Sequence, residues 1–468
     1  TPISHDEVNG GVMYIDGYPA LRIDHCSFSG NQASDSGGAI YVTNFAPHDT
    51  LFVANSNFTG NRVSEGTGGA ICAMDTNLHL QNNLFSLNMA GYPLDASVPS
   101  DLNSFSGGAL SLIRTGTSDI EHTVVDNQFH ANNAAGTGGS IFASSGKHRI
   151  FGNQFYDSIA LGADKSGVMA VGHGGGAIGI VDGAEAEINQ NTFDSNYAYA
   201  GGAILNNASM SSLADNIFTG NKARFGGAIQ LINLATESNL LRNVFTSNGT
   251  ADTTNCEIGG AIHMMNCSEK SSISLSKFSD NSSTMKGGAL AIQNSRRQTV
   301  VNNQINNNTA VQGGGLCFEG TEVVLSNNTV AHNVGTDSGG GVFADGSRVE
   351  STNNLHWSNS SPEGFEVYMI NGASMPLLTS FIPQTENAVV CLTGSTATFD
   401  DCYGDAGESP LMINDMHNYN LKPDSPCVNS GYDNVDHTST DLNNRSRVVS
   451  GRIDIGAYEY SGTTISID

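Results

Sequence analysis

The chain has 468 residues, with 19 Lys plus Arg against 45 Asp plus Glu, a net charge of −26. Such a charge excludes a nucleic-acid partner, which needs a basic surface, and docking on an anionic membrane. No stretch is apolar and long enough to span a bilayer, and eight cysteines in so long a chain make no disulfide scaffold.

From Gly10 onward one phrase recurs twelve times, best seen as Gly226-Gly227-Ala228-Ile229. A second phrase, Asn-x-Phe-x-x-Asn, alternates with it, led by Phe28, Phe58, Phe85, Phe129, Phe155, Phe193, Phe218, Phe245 and Phe278. Ile305, Val330 and His356 take the same slot later. Two phrases alternating in fixed phase define a repeat architecture. The shortest steps between glycine pairs are 25 and 26 residues, too short for a helix pair with its connections. Ala228-Ile229-Gln230-Leu231-Ile232 alternates with period two, the mark of a strand. The expected fold is therefore all-β: a right-handed parallel β-helix of about 12–13 coils. At about 4.8 Å per coil this makes a rod of roughly 60 Å.

The residue choices suit stacked coils. Ile229 and its equivalents form an aliphatic ladder inside the tube, and Phe58, Phe218 and Phe278 belong to an aromatic one. Asn61, Asn221 and Asn281 belong to a ladder at the corner after the Phe, where amides can satisfy backbone groups that no strand pairs. Only Ser158 breaks that series. The glycine pair serves a corner where Cβ would clash or φ must be positive.

Residues 1–36 read as an incomplete first coil without an amphipathic capping helix, so an open edge is expected there. Further on, the Phe lies 17 to 22 positions after each glycine pair, while usually 4 to 6 residues lead from the corner Asn to the next pair. Three insertions break this second count: 18 residues after Asn88, 16 after Ser158 and 10 after Asn248. All leave the tube at one corner, where insertions either mark a binding side or accumulate by drift. They carry the weak catalytic candidates Asp95, Asp164, Lys165, His173 and Asp252, alongside Asp101 and Glu257. A glycosidase would need two of these carboxylates close together, and a lyase a base and a cation. Solvated loop charge is the plainer reading. His122, His130 and His173 lack metal-ligand spacing, so no cofactor is expected; calcium on the acidic face is the one metal the composition leaves open. Alternation turns Tyr41, Phe142, His263 and Phe343 outward beside the ladder Ile, as an apolar face for sugar, a protein partner or another copy.

After Asn359 the repeat is expected to stop, which divides the chain into a β-helix, 1–360, and a β-rich capping module, 361–468. Cys391 and Cys402 are placed to pair across a hairpin around Gly394, and Thr464–Ile467 to form a spare terminal strand.

The alternation of Gly-Gly-Ala-Ile with Phe-x-x-Asn over residues 10–359 resembles the repeat of the polymorphic outer-membrane proteins. Leu421-Lys422-Pro423-Asp424-Ser425-Pro426 and Asp454-Ile455-Gly456-Ala457-Tyr458-Glu459 are similar to the close of secreted microbial β-helix proteins anchored at a cell surface. The resemblance implies a right-handed β-helix exported to the surface, often adhesive. The family type ends in a membrane β-barrel, and this sequence shows none. The expected function is an extracellular structural or adhesive protein that self-associates, with head-to-tail stacking into fibres as one form, or binds a surface glycan or protein. The alternatives are a carbohydrate-active enzyme and a non-catalytic glycan-binding module.

Overall fold

The computed structural model describes residues 9–460 and 462, apart from 19, 47–48, 92–104, 117–118, 162–172, 250–255, 269, 406–407, 415, 434–437 and 450. No α-helix occurs among the described residues, so none is long and apolar enough to cross a membrane. The chain is a parallel β-helix, and it divides into two compact units: Thr1–Ser238 with Asn248–Cys256, and Asn239–Ser247 with Glu257–Asp468.

In the first unit, eight strands from Met13–Asp16 to Ile229–Ile232 follow the glycine pairs and build a first sheet, every pairing parallel. A second sheet runs from Leu21–Asp24 to Met210–Ala214, and a third carries the Phe strands from Ser27–Ser29 to Ile217–Thr219. In the second unit the first sheet runs from Ile262–Met265 to Val389–Cys391 and the second from Asn239–Leu241 to Thr396–Asp400.

Identical residues stack on identical residues because each coil repeats the register. Rings from Phe28 to Phe218 lie 4.7–5.0 Å apart and nearly parallel. Phe245 and Phe278 stack at 4.7 Å in the second unit. Ile229 is fully buried. The asparagines act as corner donors and acceptors: Asn221 Nδ2 donates to Asn248 Oδ1 at 3.0 Å and to the Phe193 carbonyl at 3.0 Å. Its own Oδ1 accepts from Asn196. A second amide ladder, Asn83–Asn127–Asn153–Asn191–Asn216, flanks the other side of the Phe strand. Buried polar corners are thereby satisfied coil by coil.

The glycine corner is explained at Gly201-Gly202. Gly201 has φ +60°, and a Cβ there would sit 2.0 Å from the Ile204 carbonyl oxygen. A Cβ on Gly202 would meet the Gly227 carbonyl oxygen at 2.0 Å, so neither position admits a side chain.

Two expectations about the C-terminal region change. The strands do not stop at 360: Val367–Ile370 and Ser374–Leu378, then Val389–Cys391 and Thr396–Asp400, continue the first and second sheets. Gly364-Phe365-Glu366-Val367 supplies the corner with one glycine instead of two. Cys391 and Cys402 are unbonded, as are the other six cysteines. Cys391 ends the first-sheet strand Val389–Cys391 and Cys402 follows the second-sheet strand Thr396–Asp400, so the two do not sit on facing arms of a hairpin. The region after Gly404 does pack on the solenoid: Met412, Tyr419, Leu421, Ile455 and Tyr458 cover Ala331, Leu355 and Phe381 beside the third sheet. The strand expected at Thr464–Ile467 lies outside the described residues.

Candidate functional site

The outward face expected to bind ligand is covered. Tyr41, Phe142, His263 and Phe343 are 8%, 4%, 2% and 1% exposed. Alternation does turn them out of the tube, but the segment leading into each glycine pair folds back across that face. The Gly313 backbone lies against Phe343: a Cβ on that glycine would fall 3.1 Å from the Phe343 Cβ. In the equivalent outward place of another coil, Ser111 Oγ bonds the lead-in residue Thr67 at 2.6 Å. Burial moves His263 down to about 4, and Gln293 hydrogen-bonds its Nε2 at 2.8 Å. These four residues are packing groups.

Of the insertion-corner candidates, Asp95, Asp164, Lys165 and Asp252 lie outside the described residues, as does Asp101. His173 is half-buried, with Nδ1 3.0 Å from Thr137 Oγ1, and thus belongs to the covering segment. His122 and His148 lie inside the tube, fully buried and stacked at 5.1 Å. No group of three His, Cys, Asp or Glu side chains is placed to hold a metal among the described residues, and the calcium left open by composition gains no ligand set there. The acidic Asp454–Glu459 motif is structural. Glu459 Oε1 is 2.8 Å from Arg447 Nη1, both side chains wholly buried. Asp454 accepts backbone N–H groups of Asn429 and Tyr460.

What stays open is the outer face of the second sheet. In the first unit its strands read Leu51-Phe52-Val53 and Leu78-His79-Leu80, so the aliphatic residues enter the tube and the ring between them points out. Parallel register aligns Arg22, Phe52, His79, Thr123, Arg149, Glu187 and Ser212 in one row. Phe52 is 39% exposed, and its ring centre is 5.3 Å from that of His79. A shallow groove of about 350 Å³ runs here, lined by Thr50, Phe52, Asn77, His79, Asp119, Glu121 and Thr123. Asp119 faces Lys147 at 3.1 Å, and Glu121 faces Arg149 at 3.2 Å. The groove thus combines an exposed aromatic face with carboxylate, hydroxyl and imidazole groups. It suits a ligand that is part hydrocarbon face and part hydroxyl. The sequence reading missed this row because Phe52 and His79 belong to neither recurrent phrase. Their signal is a lone aromatic between two core aliphatics in each strand.

Residues 7–170, about a third of the chain, match the model of the family described as periplasmic copper-binding protein NosD. A probable autotransporter of Escherichia coli (strain K12), YfaL, is 31% identical over 144 residues, covering 29% of this chain and 11% of the relative. The chain therefore spans about a tenth of that relative's length. Among solved structures, the periplasmic alginate epimerase AlgG aligns over 76% of both chains with TM-score 0.32 and 10% identity. Tailspike protein 3 of bacteriophage CBA120 aligns over 86% of this chain and 54% of its own, with TM-score 0.37 and 10% identity. The A-module of the Azotobacter vinelandii mannuronan C-5 epimerase AlgE6 aligns over 86% and 91%, with TM-score 0.32 and 10% identity. Structural likeness at this level says nothing of chemistry. The sequence matches carry a β-helix repeat rather than the polymorphic outer-membrane type in particular.

Proposed function

We propose that this protein is an exported, envelope- or surface-displayed β-helix that works as a carbohydrate-binding, adhesive scaffold. Its contact surface is the outer face of the second sheet. The observation that carries the reading is the groove around Phe52 and His79, where an exposed ring adjoins Asp119, Glu121 and two threonines. A sugar ring presents C–H groups on one face and hydroxyls at its edge. The former pack on an aromatic ring, and the latter donate to carboxylates. The solenoid holds these groups on rigid strands, so little ordering is needed on binding. Export agrees with the acidic composition and with the periplasmic and autotransporter names of the sequence relatives.

The test is a glycan array probed with the protein and with its Phe52→Ala variant. Retention of selected neutral or amino sugars by the parent, lost in the variant, supports the reading. Identical profiles for the two proteins sink it. Self-association is read on the same samples by electron microscopy, where filaments would make fibre assembly part of the function.

A further inference from the structure

The second unit carries a groove of its own on its second sheet, with different chemistry. It encloses about 330 Å³ and is lined by Lys270, Arg297, Thr299, Glu322, Val323, Val324, Arg348 and Glu350. Three of the 19 basic residues of a chain with net charge −26 converge there.

The backbone shows how they converge. Met265 pairs with Gln293, and Ser272 with Thr299, so the corner between first and second sheet takes seven steps in one coil and six in the next. Gln293 pairs with Glu319, and Thr299 with Val324, which makes five steps in the third. Glu319 pairs with Asp345, and Val324 with Glu350, again five. The corner shortens by one residue per coil and then holds constant. The longer corners carry Lys270 and Arg297, which line one groove together with the strand residues Thr299, Val324 and Arg348. Arg297 sits in the left-handed region at φ +54°, in the bend just before the strand Gln298–Val301. Arg348 is held at 2.9 Å by Glu350, and Glu322 is its strand neighbour. The carboxylates align the cations and also set a limit on how much negative charge the groove accepts.

The geometry points to a binding site for an acidic oligosaccharide, a sugar chain bearing carboxylates, with Arg297 and Arg348 as the fork-shaped partners of one carboxylate and Lys270 as a second cation. Guanidinium groups match a carboxylate in two parallel hydrogen bonds. Val324 and Thr299 offer the floor against which a sugar ring lies. A rigid strand face and an extended chain of sugars share a repeat direction, so neighbouring residues of the ligand remain over the sheet. The site is separate from the Phe52 groove and stands whether or not that one binds neutral sugar.

The experiment is titration calorimetry of the full chain with a galacturonate hexamer, a neutral galactose hexamer and a single-stranded oligonucleotide of equal charge. Binding of the galacturonate hexamer alone is expected, weakened about tenfold by 0.5 M salt, as charge pairing requires. Arg297→Gln with Arg348→Gln should reduce affinity at least about tenfold, while Glu350→Gln, which frees Arg348, should raise it. All these positions are on the surface, and an unchanged circular dichroism spectrum and melting profile confirm folding. Absence of galacturonate binding, equal binding of the neutral hexamer or the oligonucleotide, or indifference to the arginine substitutions overturns the proposal.

Discussion

Ser140 Oγ lies 2.8 Å from Ser158 Oγ and 3.3 Å from Asn132 Nδ2, bridging the one coil where the corner asparagine ladder is broken. Serine replaces asparagine at 158, and in the same coil serine replaces the alanine that usually follows the glycine pair. The two hydroxyls together fill the place of one amide. Ser140→Ala should cost about 1 kcal/mol by removing that bridge. Ser140→Ala with Ser158→Asn should recover most of it. Denaturant midpoints of the two single variants and the double variant measure the coupling.

An intact rung is worth more. Asn221→Ala leaves the Phe193 carbonyl, Asn248 Oδ1 and the Asn196 donors short of partners. A loss of about 3 kcal/mol is expected, measurable by urea unfolding, because each orphaned group stays buried. A change under about 0.5 kcal/mol would show that the ladder is decorative.

The stacked pair His122–His148 predicts sensitivity to acid. Burial among aliphatic neighbours pushes both imidazoles down, His148 to about 4. The unfolded chain binds protons near 6.5, so stability is full above that value and is lost as pH falls from 6.5 towards 4. His148→Leu should flatten this slope, since Leu78 already fills the equivalent interior place two coils away. Melting temperatures at pH 7 and pH 4.5 decide it; an equal fall in parent and variant would contradict it.

Glu366 predicts the opposite trend. It occupies the place after the glycine corner and accepts a hydrogen bond from Asn359 Nδ2, the last amide of its ladder. Full burial raises its carboxyl from 4.5 to about 8. A raised carboxyl favours the folded state at low pH, so its contribution is lost as pH climbs from 4.5 through 8. Glu366→Gln should remove that dependence. The readout is the denaturant midpoint at pH 5 and pH 8.

Arg447 holds the C-terminal region to the solenoid. Nη2 reaches Asn327 Oδ1 at 2.8 Å and the Gly456 carbonyl at 2.7 Å, beside the buried contact with Glu459. Arg447→Met should cost about 3–5 kcal/mol because it leaves the buried Glu459 carboxyl, Asn327 Oδ1 and the Gly456 carbonyl without their guanidinium partner. Limited proteolysis should then cleave after residue 404 before it cuts the β-helix strands.

Much of this was legible in the residue pattern, and the failures have physical causes. Phe58, Asn61 and Ile229 announce their places because a fixed register forces identical side chains to stack. The Asn83 series was visible too, as the Asn two before most of the Phe residues. Tyr41 and Phe343 read as exposed in the sequence because period-two alternation says which way a side chain leaves its strand, and nothing about what chain folds over it. The coils after Asn359 hid because Glu366 and a single Gly364 replace the usual corner. Phe52, His79 and Arg297 carry no repeated phrase. Arg297 is set by a one-residue difference in corner length that shows only when strand register is known.

Carbohydrate is expected on the open face of the second sheet rather than on the covered face of the first. Hydroxyl-radical footprinting of the protein with and without a glycan selected on the array decides between the two faces. Protection of Phe52 and His79 is expected, with no change at Tyr41 or Phe142. Protection confined to residues off the second sheet, or no protection at saturating glycan, would contradict it.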